Sequence, residues 1–488
     1  MREITIEIEH VAANPINTGR CLVFTVNILT ISYGVIIGWQ SSFAPQLQSS
    51  SPPVGNESMT DEGVSWLNGI LCVGGTFTTV VFSLLPDKYS RKRIGYLIIL
   101  PWCISWLLII VATEHIYIYI SKFLSGIFGG ILFFYVPIYV SEISDDSIRG
   151  LLGSILAFAI NFGILLAYIL GGMLSFRTYA IVNLVLPALY LITFVFMPES
   201  PVYLIRQDRI REATRSLMWL KAGDRLVAER TLSYLQAEMK QNDMVAKSVK
   251  LSDLFKDRAT IKGLIIVVGL FLGQQFCGIF AMLSYTETIF ELSGSSLLPN
   301  TAAIIIGAIQ FFGSCLASLF MERAGRRLLI LVSCAGMCLC QSVMGMFCYF
   351  QEFGYDVSVY DWVPVVALST FMIAYSCGMS SVPIIVMAEI FNRNVTSVAT
   401  KIGLFFLWVS AFIVTKIFPT LIALLGMYGC FFLLAFSCAF SFIFCFMLLP
   451  ETKGRMREDI VNELNECTKN KKNTKRIIGT HSTDAARV

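Results

Sequence analysis

The chain has 488 residues, 56% of them hydrophobic and only 14% charged, and its mean hydropathy is +0.70. A water-soluble chain of this length needs far more charge to cover its surface, so composition excludes a soluble enzyme or nucleic-acid binder. The formal net charge of +4 says little; how the charges are distributed says more.

Residues 1–19 are acidic and polar before Ile16, unlike a cleavable signal peptide, and read as a cytoplasmic segment. Apolar runs then recur near 20–46, 63–86, 94–112, 116–140, 150–173 and 178–197. At 1.5 Å per residue each is long enough to cross a hydrocarbon core of roughly 30 Å. Lipid offers the backbone no hydrogen-bonding partners, so such runs must be helices. Residues 20–200 are therefore expected to form a six-helix bundle. In the charged stretch 201–260, Leu204, Ile210, Leu217, Leu220, Leu232 and Leu235 recur at roughly helical spacing. That pattern predicts a cytoplasmic linker of amphipathic helices. Six more runs, near 261–290, 299–321, 328–350, 361–390, 398–423 and 427–449, place a second bundle over 261–452. Residues 453–488 form a polar, basic cytoplasmic tail. The expected fold is an all-α membrane protein: twelve transmembrane helices in two pseudo-symmetric six-helix bundles, with cytoplasmic helices between them.

Basic residues crowd Lys88 to Arg93, Arg206 to Lys262, Arg323 to Arg327 and the tail from Lys453. The alternate loops, near 47–62, 285–300 and 351–361, carry acids such as Glu57, Glu62, Glu287, Glu291 and Asp361 but no Lys or Arg. The positive-inside rule then puts the basic loops and both termini in the cytoplasm. Asn56-Glu57-Ser58 is an N-glycosylation acceptor on the predicted outer face of a cell-membrane protein. Nearly all fourteen cysteines lie in apolar runs and read as small hydrophobes, not a disulfide framework.

Signals recur one half-chain apart. Asp87-Lys88-Tyr89-Ser90-Arg91-Lys92 follows the second span, and Glu322-Arg323-Ala324-Gly325-Arg326-Arg327 follows the eighth. Pro198-Glu199-Ser200-Pro201 ends the sixth span, and Pro450-Glu451-Thr452-Lys453 ends the twelfth. Glu142 before Arg149 after span four is echoed by Glu389 after span ten. Such pairing implies two related halves with a solute site between them. With Pro137-x-Tyr139-x-x-Glu142 and Gln274-Gln275-x-x-Gly278-Ile279, these motifs make the chain resemble a sugar porter of the major facilitator superfamily, most like the insect facilitated trehalose transporter group, over about residues 20–456.

Asp87, Arg91, Glu142, Arg149, Glu199, Glu322, Arg326, Glu389 and Glu451 sit at cytoplasmic helix ends. Carboxylates there can accept paired bonds from Arg on a neighbouring helix. Bonds that close the two halves on the inside and break when it opens would form a conformational switch, the role the resemblance also implies. Solvated loop charges, worth under about 1 kcal/mol each, are the plainer alternative. Two positions depart from the family pattern: Ser90 stands where the first half usually has Gly, and Thr396 where Arg usually follows Glu389.

A sugar site needs fixed hydrogen-bonding groups and aromatic faces, and amides inside apolar spans are costly unless used. Gln274 and Gln275 lie between Gly273 and Gly278, where a helix can break, and Gln310 shares a face with Gly307, Ser314 and Ser318. The resemblance places these three and Trp408 in the sugar pocket; helix–helix adhesion is the alternative. Phe280 replaces the family's Asn, Ala157 its Gln, with Asn161 one turn along the same face, and Ile384 its Trp. The pocket is thus less polar than an ordinary hexose site.

Between Arg20 and Glu57 the first span has no ionisable Asp, Glu, Lys, Arg or His, where proton-coupled relatives carry Asp. Physics and resemblance both imply facilitative uniport of trehalose or a hexose by alternating access. Lys122 reads as structural or snorkelling, Lys416 as snorkelling. No metal cluster, catalytic triad or nucleotide loop is present in the sequence, so no cofactor, metal or enzymatic activity is expected. The expected partners are a small neutral solute and the lipid bilayer, with no nucleic acid and a monomeric chain. A carrier of a polyol or other neutral solute, or a sugar sensor that does not transport, remains open.

Overall fold

The computed structural model describes residues 15–84, 90–143, 146–221, 223–245, 257–292, 298–391, 393–455, 457 and 459–465. Side chains of residues 15–23, 83–84, 146–155, 318–323 and 393–394 are among those outside that description. Every element among the described residues is a helix, the form lipid requires of those that span it. Among the described residues, ten stretches are long and apolar enough to cross a membrane. The last of them, Val398–Leu448, is two spans run together across Gly426, whose φ of 68° is not helical. With α1 (Pro15–Gln48) added, the count is twelve.

The first half holds α1, α2 (Asp61–Leu84), α3 and α4 (Arg91–Leu97 and Ile99–Val111), α5 (His115–Ile143), α6 (Asp146–Met173), and α7 and α8 (Phe176–Asn183 and Val185–Val195). Its packing depends on backbone approach rather than on bulk. A Cβ on Gly34 of α1 would lie 2.1 Å from the Ile160 carbonyl of α6, and one on Gly126 of α5 would lie 2.0 Å from the Leu71 carbonyl of α2. Apolar side chains gain nothing over lipid by packing on one another, so small residues that let helices touch provide the adhesion.

Three short helices follow: α9 (Pro201–Arg206), α10 (Ile210–Leu220) and α11 (Arg225–Val245). Ser200 caps α9 by accepting from the Tyr203 N–H, and Pro201 occupies the first turn. Ala213 and Leu217 are buried while the opposite face of α10 is charged, matching the amphipathic reading.

The second half holds α12 (Arg258–Phe276), α13 (Ile279–Ser284), α14 (Thr286–Leu292), α15 (Pro299–Ala324), α16 (Arg326–Glu352), α17 (Val363–Cys377), α18 (Val382–Glu389) and α19 (Arg393–Leu448). Two of its spans are broken at depth. Gly278 adopts φ 84° between α12 and α13, and residues 378–381 interrupt α17 and α18. The spanning part of the seventh segment ends at Ser284, so α14 lies beyond it rather than within a run to 290.

Candidate functional site

A cavity of about 100 Å³ lies between the halves. The first half contributes Tyr33 of α1, Phe133 of α5 and Asn161 of α6; the second contributes Gln274, Gln275, Phe280, Gln310, Tyr375 and Trp408. All six residues singled out as pocket candidates, Gln274, Gln275, Gln310, Trp408, Asn161 and Phe280, therefore line one space.

The six do not stand alike. Gln274 Nε2 donates to the Met379 carbonyl at 2.8 Å, the Ser380 carbonyl at 3.2 Å and Tyr375 Oη at 3.3 Å. These carbonyls are freed by the break between α17 and α18, and in a membrane interior they require a donor. Half of the Gln274 amide is thus structural, and Oε1 is left buried without a partner. Gln275 Oε1 is likewise buried and unpartnered. Gln310 Nε2 donates to Asn161 Oδ1 at 3.1 Å, joining the halves across the cavity, while Gln310 Oε1 is unpartnered. Trp408 is fully buried with a free Nε1. It meets Phe133 edge-on at 5.8 Å and Tyr33 edge-on at 6.5 Å. Tyr33 Oη has no partner either. Orphaned polar atoms so far inside a membrane protein cost about 1–3 kcal/mol each, and hydroxyls of a bound solute are suited to satisfy them.

Ala157 and Ile384 also line the cavity, with Ile37, Leu156, Ile160, Ile164, Ile279, Leu283 and Leu407. The walls are apolar, with a few convergent amides and aromatic faces. Nothing in the sequence marks Tyr33, Phe133, Tyr375 or Ser380, which line the cavity too. An aromatic residue inside an apolar span carries no sign of which way it faces; the Gly129 backbone beside Tyr33, where a Cβ would lie 2.4 Å from the ring, marks the packing only once the helices are in place.

At the basic-loop end both halves build the same network. Arg91 pairs with Glu142 at 3.0 Å in the first, and Arg326 with Glu389 at 3.1 Å in the second. Glu199 accepts the N–H groups of Lys92 and Ser200, at 3.1 and 3.0 Å. Glu451 accepts those of Arg326, Arg327, Thr452 and Lys453, at 2.9 to 3.2 Å. Burial would raise the Glu451 carboxyl, but these N–H donors outweigh it and hold the group below its ordinary value. Ser90 is accommodated because its φ is −56°, and its hydroxyl donates to Glu199. Gly325 has φ 83°, and a Cβ there would lie 2.7 Å from Glu451 Oε2. Thr452 Oγ1 also donates to Glu389 at 2.6 Å. Both ion pairs join helices of one half, whereas the expected inner lock ran from half to half. Asp87 and the side chains of Arg149, Glu322 and Arg393 lie outside the described residues.

Contacts between halves gather instead at the acidic-loop end. Lys416 Nζ of α19 donates to Ser65 Oγ of α2 at 2.7 Å, stands 4.0 Å from Glu62, and lies 4.4 Å above the Trp66 ring. Tyr168 Oη of α6 donates to the Leu283 carbonyl at 3.1 Å, and Trp66 packs on Phe412 at 6.2 Å. This end is shut. Lys416 is therefore more than a snorkelling cation. Lys122 does not snorkel at all: it is buried, its Nζ 3.7 Å over the Trp39 ring and 3.5 Å from the Ile36 carbonyl.

Comparison with known proteins fits this geometry. The family described as "Sugar (and other) transporter" matches residues 22–464. The facilitated trehalose transporter Tret1 of Culex quinquefasciatus is 30% identical over 439 residues, 89% of this chain and 84% of that protein. Tret1 of Apis mellifera ligustica is 30% identical over 87% of this chain and 85% of its own length, while this chain spans 55% of Tret1 of Anopheles gambiae. Among solved structures, the inward-open xylose transporter XylE of E. coli superposes with a TM-score of 0.72, covering 91% of this chain and 98% of that one at 20% identity. Shared fold, paired motifs and sequence similarity agree: the chain is a transporter, not an enzyme, and belongs to the sugar transporter family.

Proposed function

We propose that this sugar transporter is a uniporter that moves trehalose or a hexose down its gradient across the cell membrane by alternating access. The observation that carries the reading is the cavity. Amides and aromatic rings from both halves converge on it, and no Asp, Glu, Lys, Arg or His lines it. A site without an ionisable group has nothing at its centre with which to couple solute to protons. The halves over residues 20–200 and 261–452 rock about the site, joined by the linker over 201–260, with the basic loops and both termini, 1–19 and 453–488, in the cytoplasm. Asn56 and Ser58 are exposed at the acidic-loop end, which suits glycosylation of Asn56 from outside. Each chain holds a complete cavity, which supports a monomeric carrier. Arg91, Glu142, Glu199, Arg326, Glu389 and Glu451 serve the inner switch by keeping each half rigid as it turns.

The apolar walls favour a second reading, a polyol or other neutral solute with fewer hydroxyls to satisfy. Uptake of a labelled sugar and polyol panel in oocytes separates the two. A uniporter brings its solute to equilibrium and no further, even under an imposed proton gradient; accumulation above equilibrium overturns uniport. Replacing Gln275 with Ala removes an amide that nothing else engages. Saturable uptake is expected to fall tenfold or more, as one or two lost hydrogen bonds of about 1–1.5 kcal/mol imply, with surface expression unchanged.

A further inference from the structure

One partly buried ionisable side chain in the seam between the halves has no part in the reading above. Glu287 lies on α14, where that helix packs on α1 and α15. Its backbone N–H donates to Ser41 Oγ of α1 at 3.2 Å, and Ser42 faces its carboxyl. Oε1 is buried without a hydrogen-bond partner. One residue back, Thr286 Oγ1 meets Tyr168 Oη of the other half at 3.4 Å. The carboxyl therefore sits in the seam that must part when the acidic-loop end opens.

The surrounding elements offer it no cation. From Phe24 to Gln48, α1 carries no ionisable side chain except Tyr33; α13 carries none; α15 has Cys315 before its far end, Glu322 and Arg323. Across the seam, α6 presents Tyr168. On α14 itself, Glu291 repels an ionised Glu287. Lys416 is engaged by Ser65 and Glu62 of α2. A lone carboxylate loses its hydration on burial and gains no counter-charge, so the closed seam favours the neutral acid. Burial pushes the Glu287 carboxyl up to about 7, Ser42 opposing and Glu291 adding to the rise. Parting the halves returns the group to water and towards its ordinary value of 4.5.

We propose that closing the acidic-loop face takes up one proton, on Glu287, and that opening the face releases that proton to the same side. The inference rests on the alternating-access reading above, with this face outward. The sign follows from linkage: a proton held more tightly in the closed form stabilises that form as pH falls. Between about 7 and 4.5 the closed-to-open ratio rises by up to ~tenfold per pH unit; above 7 both forms are ionised and pH has no further effect. Because the proton enters and leaves on one face, external pH sets how often the face opens without driving solute uphill.

The test compares sugar uptake by the full chain and by Glu287→Gln in oocytes, with external pH stepped between 8 and 5 at fixed internal pH. Wild-type uptake is expected to fall several-fold towards pH 5, and uptake by the neutral Gln variant to be flat. Should Glu287→Gln fail to reach the surface, Glu287→Thr removes the same titration. A flat wild-type profile, or a pH response that survives removal of the carboxylate, overturns the proposal while leaving sugar transport intact. Absence of uptake of every sugar and polyol would defeat the functional reading instead. The proton step is then read without transport, as the pH titration of Trp66 fluorescence in purified protein, taken as the difference from Trp66→Phe. A transition near 7 that Glu287→Gln abolishes supports the proposal, and its absence overturns it.

Discussion

Arg91–Glu142 and Arg326–Glu389 tie together helices of the same half, whereas Lys416, Tyr168 and Gln310 reach from one half to the other. Among the described residues, the basic-loop end holds one ion-paired cluster in each half, and the acidic-loop end holds contacts made between the halves. A carrier that rocks must break bonds at one end while keeping each half stiff. In the proposed rocking cycle the ion pairs at the basic-loop end would serve stiffness, and weaker polar contacts at the other end would serve closure. Bonds that break on every cycle are best kept small.

The largest effect expected from this contrast is at Arg91. Arg91→Ala strands Glu142, whose side chain is only 12% exposed, and removing one partner of a buried pair costs about 3–5 kcal/mol. Melting in detergent is expected to fall well below that of Arg326→Ala, whose partner Glu389 is 30% exposed. A variant that keeps its melting point and changes only the rate of transport would mean that Arg91 works between halves after all. Next comes the matched position in the two clusters. Gly325→Ser forces a side chain into φ 83° against Glu451 and is expected to cost about 1–3 kcal/mol. Ser90→Gly loses a cap and a hydroxyl bond and should cost about 1 kcal/mol or less; similar melting of the two variants would erase the asymmetry. The smallest effect is at Lys416. Lys416→Met gives up one charge-assisted bond and a cation–π contact at a partly exposed site, about 1 kcal/mol. That should move the equilibrium roughly fivefold towards an open acidic-loop end, read as faster labelling of Asn68→Cys by a membrane-impermeant thiol reagent. Unchanged labelling would remove Lys416 from the latch.

Span number, the two-half repeat and the polar cavity residues could be read from the sequence because each leaves a local mark. Apolar runs have a length, repeated motifs have a register, and an amide inside such a run is conspicuous. The direction of a side chain leaves no such mark. Tyr33 and Phe133 are ordinary aromatics in apolar helices until packing turns them towards Trp408. Lys416 was placed at a helix end by hydropathy, but its partner Ser65 is 351 residues away and belongs to the other half. The same distance problem hid which half each Arg serves: acids and bases in register tell that they pair, not with whom. Glu287 looked like one more loop acid because the burial that sets it apart comes from α1, α13 and α15 closing around it.

Gln274 has two roles in one amide. One end of its amide splints the gap in the tenth span at Met379 and Ser380, and the other end is left without a partner on a residue that lines the cavity. Cargo that grips the free oxygen leans on the splint through three covalent bonds. Occupancy can thus be transmitted to the flexible joint of the second half as a mechanical tug, with no relay of intermediate residues.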